Sequence, residues 1–289
     1  MESINGKLVA FHSSDGLKLK GYLVTSTQNR ATIVHIHGNV GNFYENDFIS
    51  TMAERYNSAG FNFFSFNNRG HDGIAEAYLH GELVYIGAAV ENLEECVFDI
   101  EGAVKYASSL GSRVILQGHS LGCLKILIYL VAKKRPLDFI LLSPSDVYQL
   151  QSNYIYPETV EEQLSRIKTT YPENPEVLLP QDDFGIRQPD LRYHIPITAR
   201  AFSSLFNSRW LGLLRYKNPM EYLVSSAGFV YLGGRDLLRT EEIDTIRQFF
   251  SERIEASHFC ICEEGDHHFH GLESHVIGEI IDWIGTRDL

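Results

Sequence analysis

Short apolar runs alternate with segments of helical spacing along most of this chain, and that rhythm restricts the fold more than any other feature. Residues 32–36 (Thr-Ile-Val-His-Ile) are almost continuously apolar, as a strand covered on both faces must be. Comparable runs occupy 61–66, 113–117, 137–142, 228–232 and 259–262. Between them, apolar residues three and four apart predict helices over 47–58, 121–134, 241–250 and 276–284. Another is marked by Leu93, Val97, Ile100 and Val104 and stopped by Gly111. Lys133-Lys134-Arg135 and then Pro136 put cations at the negative end of the 121–134 helix and terminate it. An N-terminal hairpin, 8–11 and 17–24 about the turn Ser14-Asp15-Gly16, precedes the alternation. Strands and helices in this order imply an α/β fold with a doubly wound, mostly parallel sheet.

The rhythm lapses from Val147 to Ser225, where Tyr, Pro and charged residues are mixed. So long a connection needs structure of its own. Thr159 and Glu162 fit a capping box ahead of Val160, Leu164 and Ile167, and a second helix is expected over 197–205. The expected organisation is a core of 1–146 and 226–289 carrying an inserted helical cap at 147–225.

Apolar residues make up 44% and charged residues 21% of the 289, enough for a sizeable core and incompatible with disorder. Acids outnumber Lys and Arg by 37 to 25, a formal charge of −12, and no basic stretch offers a footprint for nucleic acid. The longest apolar run, near 124–132, contains Lys125 and is too short to span a membrane. The opening residues MESING lack the layout of a secretion signal. Cys96, Cys123, Cys260 and Cys262 all lie in apolar segments, and the last two share one strand face, where they are poorly placed to pair. A cytoplasmic protein with reduced, buried thiols is expected, without nucleic-acid or membrane partners.

The strongest local signal is Gly118-His119-Ser120-Leu121-Gly122, between a strand and a helix. A serine on so sharp a turn is strained, needs small residues two positions either side, and stands exposed above the sheet near a helix N-terminus. Its hydroxyl needs a base. The loop Glu264-Gly265-Asp266-His267-His268-Phe269-His270-Gly271 offers three histidines after the last strand; His267 is the first choice and His268 the alternative. An acid must orient the base. Asp236, in Gly233-Gly234-Arg235-Asp236 past a strand end, is preferred over Asp146, which follows Ser143-Pro144-Ser145. The order Ser120, Asp236, His267 is serine–acid–histidine. Oxyanion donors are expected from the N–H of Leu121 and of Asn39, the latter in His37-Gly38-Asn39. His37 is read as a structural imidazole. His258, Cys260, Cys262, His267, His268 and His270 crowd thirteen positions, but a zinc site there would consume the histidine that Ser120 needs. No metal and no organic cofactor is expected.

These pieces, with Asp15-Gly16 and Asn68-Arg69-Gly70-His71, resemble the α/β-hydrolase-fold serine hydrolases over residues 8 to 285 in order, the segment 147–225 apart. The resemblance implies a core sheet of about eight strands with the catalytic groups above it, and hydrolysis of a carboxylic ester, thioester, lactone or amide. Asn68 stands where many relatives carry an aromatic residue, and Cys123 where many carry a second glycine. Ser120, in place of an aspartate, argues against dehalogenase or epoxide hydrolase chemistry. A carboxylic-ester hydrolase acting on a small-molecule acyl substrate is the reading taken forward. The alternatives are a thioesterase or acyltransferase, and a receptor that kept the fold without catalysis. Aromatic residues of the insert, among them Tyr148, Tyr156, Phe202, Phe206 and Trp210, either line an acyl pocket or pack the cap on the sheet.

Overall fold

The computed structural model describes residues 6–46, 48–154, 158–180, 196–207, 213–215, 227–254 and 256–287. Its elements, in chain order, are β1 (Lys7–His12), β2 (Lys18–Val24), β3 (Ala31–Ile36), α1 (Phe48–Ser58), β4 (Asn62–Phe66), β5 (Ala75–Leu79), β6 (Glu82–Ile86), α2 (Cys96–Ser108), β7 (Arg113–His119), α3 (Leu121–Lys133) and β8 (Asp138–Leu142). There follow α4 (Val147–Tyr154), α5 (Val160–Thr170), α6 (Ala199–Asn207), β9 (Ala227–Gly233), α7 (Ile243–Ser251), β10 (Ala256–Cys262) and α8 (Glu273–Gly285).

Eight strands form one sheet in the order β1-β2-β4-β3-β7-β8-β9-β10. Only β2 runs against the others, pairing antiparallel with both β1 and β4. Every residue of β3, β4, β8 and β9 is buried, which is why their sequences read as apolar runs without alternation. Successive residues still face opposite layers. Phe64 and Phe66 pack with α2 and α3, whereas Phe63 packs with α1 and α8.

The order β4-β3-β7-β8-β9-β10 carries β3, β7, β9 and β10, whose following loops hold the candidate chemistry, in one parallel run with β8 between β7 and β9. Their carboxyl ends therefore open on one side of the sheet, the usual place for a site in an open α/β sheet.

Three elements depart from the sequence reading. A two-stranded antiparallel sheet, β5 with β6, lies outside the main sheet. The region after Asn92 begins as a 3-10 turn, Leu93–Glu95, before α2. The segment after β8 opens at once with α4, which was not expected. The capping box at Thr159 and Glu162 is formed as the spacing predicts, and α6 corresponds to the helix expected over 197–205. It is tied to the core by Thr198 N–H to Ala89 O at 2.8 Å and by Arg200 Nη2 to Val90 O at 3.1 Å.

Candidate active site

Ser120 is the single residue between β7 and α3, and its φ of 55° and ψ of −124° are a conformation that an L side chain adopts only under constraint. The constraint is visible. Ser120 N–H donates to Leu142 O at 3.0 Å, and Cys123 N–H donates to Ser120 O at 2.9 Å. Any Cβ on Gly122 would collide with the Ile36 carbonyl, so the elbow can approach β3 only with glycine there.

The loop after β3 is pressed against this serine: a Cβ on Gly38 would lie 2.9 Å from Ser120 Cβ. His37 is wholly buried beneath it. Asn68 N–H donates to His37 Nε2 at 3.2 Å, so the neutral ring carries its proton on Nδ1 and donates it to Gly38 O at 2.8 Å. Burial first, and then the charge of Lys125, keeps this imidazole well below its ordinary range. Asn39 and Leu121, the two candidate oxyanion donors, line the same pocket as Ser120.

His267 and Asp236 come together across the loops that follow β10 and β9. His267 Nδ1 donates to Asp236 Oδ2 at 2.9 Å, and Leu238 N–H donates to Oδ1 at 2.8 Å. Both side chains are buried. The loops are laced by Gly234 N–H to Cys262 O and Arg235 N–H to Gly265 O, each 2.8 Å. Asp146, the rival acid, is committed elsewhere: its Oδ1 accepts the N–H groups of Tyr148 and Gln149 at 3.1 and 3.0 Å and so caps α4. Asp266 accepts from His268 N–H and His270 N–H and pairs with His270 Nδ1 at 2.7 Å, which makes it a bonder within its own loop. His268 sits with its ring 5.0 Å from that of His119 and 6.3 Å from that of Phe48.

One residue of the site was not assigned from sequence. His119 Nε2 donates to His267 O at 2.8 Å, linking the loop after β10 to the residue beside Ser120. Burial, reinforced by His267 and His268, keeps His119 neutral. The only sequence signal was its place inside the Gly-x-Ser-x-Gly turn. Among the described residues the Ser120 hydroxyl makes no hydrogen bond. The structure thus joins Asp236 to His267 directly, and the His267 loop to the elbow through His119.

A narrow pocket opens over Ser120, lined in part by Asn39 and Leu121. Val147 and Leu150 of α4, Leu205 and Phe206 of α6, and Leu238 supply apolar walls, while Ser145 and Gln151 are polar. Phe202 packs on Phe206 with ring centroids 4.6 Å apart, and Tyr148 lies under the Arg215 guanidinium at 3.6 Å. Tyr156 and Trp210 lie outside the described residues. Among the described residues no group of three His, Cys, Asp or Glu side chains is arranged to hold a metal. His258 stacks on Phe229, and Cys262 is buried while Cys260 is half-buried.

At the level of sequence no family model matches this chain, nor does any curated protein. Solved structures do match in shape. Est1E from Butyrivibrio proteoclasticus with ferulic acid bound superposes with a TM-score of 0.67 at 16% identity, covering 96% of this chain and 98% of its own. Alpha/beta hydrolase domain-containing protein 10 from mouse gives 0.66 at 17%, covering 97% and 99%. The siderophore hydrolase EstB from Aspergillus fumigatus gives 0.67 at 14%, covering 99% of each chain. With the sheet order, the elbow at Ser120 and these likenesses over nearly its whole length, the chain has the α/β-hydrolase fold.

Proposed function

We propose that the protein is a serine hydrolase that cleaves a carboxylic ester, or a related acyl bond, through an acyl-enzyme. Ser120 Oγ attacks the carbonyl carbon while His267 takes its proton and returns it to the leaving alcohol. Asp236 holds the imidazole so that Nε2 is the free base, and the N–H groups of Asn39 and Leu121 stabilise the oxyanion. Water, deprotonated by His267, then releases the acid. No metal or organic cofactor takes part.

The observation that carries this reading is the buried hydrogen bond between His267 Nδ1 and Asp236 Oδ2, held beside a serine in a strained elbow. The pocket supports a small neutral acyl substrate: five of its lining side chains are aliphatic or aromatic residues from α4, α6 and the loop after β9, and none among the described residues is charged. Within the inserted segment, α4 and α6 act as a cap over it. The esterase and hydrolase neighbours agree with ester cleavage in general. No helix among the described residues is long and apolar enough to cross a membrane, and the four free thiols suit a cytoplasmic setting.

The test is a panel of p-nitrophenyl esters of rising acyl length, with a matched thioester and amide, assayed on wild type and Ser120→Ala. Ester turnover lost in Ser120→Ala with the fold retained supports the reading. Equal turnover by the two proteins, or none by wild type on any member, contradicts it.

A further inference from the structure

Lys125 lies five residues after Ser120 on α3 and is wholly buried. Its Nζ donates to Glu91 Oε1 at 2.6 Å and to Asn68 Oδ1 at 3.0 Å. None of the three side chains enters the chemistry above. Exchanging a buried ion pair for apolar side chains of similar volume is often neutral or stabilising, so stability does not account for an ammonium on the packed face of this helix.

Its connections do. Asn68 Oδ1 accepts from Gly70 N–H at 3.0 Å as well as from Lys125, while Asn68 Nδ2 is buried without a partner. The orientation of that amide is therefore held from its oxygen. Asn68 N–H in turn donates to His37 Nε2, and His37 Nδ1 donates to Gly38 O. Gly38 O and Asn39 N–H are the two ends of one planar peptide unit, so fixing the first fixes the direction of the second.

We propose that Lys125 is a positioning residue: through Asn68 and His37 it sets the plane of the Gly38–Asn39 peptide and so aims the Asn39 N–H at the developing oxyanion. This rests on the hydrolase reading above. An imidazole held neutral is required for the relay, since a protonated His37 could not accept the Asn68 N–H; burial, and after it the nearby ammonium, favours the neutral form.

The test uses the full chain, the p-nitrophenyl ester turned over fastest, and a trifluoromethyl ketone of the same acyl length, whose adduct with Ser120 Oγ presents an oxyanion. In Lys125→Met, kcat should fall by about 10- to 100-fold with KM nearly unchanged, and ketone affinity should fall by the same factor as kcat/KM. Asn68→Ala, which leaves α3 untouched, should show the same split. Ile128→Ala, buried on the same helix, should lower Tm yet leave kcat and ketone affinity near wild type. Wild-type ketone affinity in Asn68→Ala overturns the proposal whatever Lys125→Met does, including failure to fold. A wild-type protein that neither turns over any ester nor binds the ketone overturns the hydrolase reading instead, so the two failures are distinct.

Discussion

Asp236 accepts the Nδ1 proton of His267 at 2.9 Å across loops that leave the neighbouring parallel strands β9 and β10. The second carboxylate oxygen is held by Leu238 N–H, so the acid cannot turn away, and the imidazole keeps the tautomer in which Nε2 is basic. Asp236→Asn should therefore lower kcat by about 10⁴ with the fold intact, as loss of an orienting carboxylate does elsewhere. Asp146→Ala, which removes the Oδ1 that caps α4, should leave kcat within about threefold while lowering Tm. Steady-state kinetics on both variants decide it, and the reverse ranking would move the acid's role to Asp146.

The histidine loop gives a second contrast. His267→Ala should abolish turnover. His268→Ala should retain most of it, because it is His267 Nδ1 that bonds Asp236, while the His268 ring packs against those of His119 and Phe48. A larger loss from His268→Ala would mean that the base has been misassigned.

Two residues of α6, Leu205 and Phe206, line the pocket. Phe206 is buried against Phe202 and faces the space over Ser120. Truncating it in Phe206→Ala opens room for further methylenes, each contributing about 0.8 kcal/mol when buried. The ratio of kcat/KM for octanoate over butyrate esters should rise about tenfold. An unchanged ratio would show that the acyl chain does not reach α6.

Acid stability follows from three wholly buried imidazoles, His35, His37 and His119. Burial is the largest cause in each and pushes the pKa down, to about 3 for His35. Below the ordinary value near 6.5 the unfolded chain takes up these protons and the folded chain does not, so stability present at neutral pH is lost as pH falls. The three imidazoles act in the same direction, so the loss grows steadily as pH drops below 6.5. Thermal melts from pH 7.5 to 5.0 should show Tm falling steeply below 6.5; a flat profile would mean that these rings are protonated in the fold.

Much of the architecture was legible because strands buried on both faces, such as β3 and β9, leave unmistakable apolar runs. The site was legible for a related reason: backbone collisions at Gly38 and Gly122 restrict which residues can stand there, and that restriction shows as a motif. What escaped lacked such pressure. The strands β5 and β6 alternate as a half-exposed hairpin should, but their turn is His80-Gly81 with φ of 51° and 90°, less recognisable than Asn-Gly. The helix α4 has little apolar period and begins on the Asp146 cap, whose carboxylate read as a candidate catalytic acid. Lys125 looked like a flaw in an apolar run because its partners Glu91 and Asn68 lie 34 and 57 positions away. The hydrogen bond from His119 to His267 spans 148 positions, a pairing that no local pattern encodes.

The central claim is that Ser120 is a nucleophile activated by His267. Reaction of the folded protein with a fluorophosphonate, followed by peptide mass spectrometry, tests it most directly. The account predicts a single phosphonylated peptide containing Ser120, lost in Ser120→Ala and formed far more slowly in His267→Ala. An unmodified Ser120 in folded wild type, or equal labelling in His267→Ala, would contradict it.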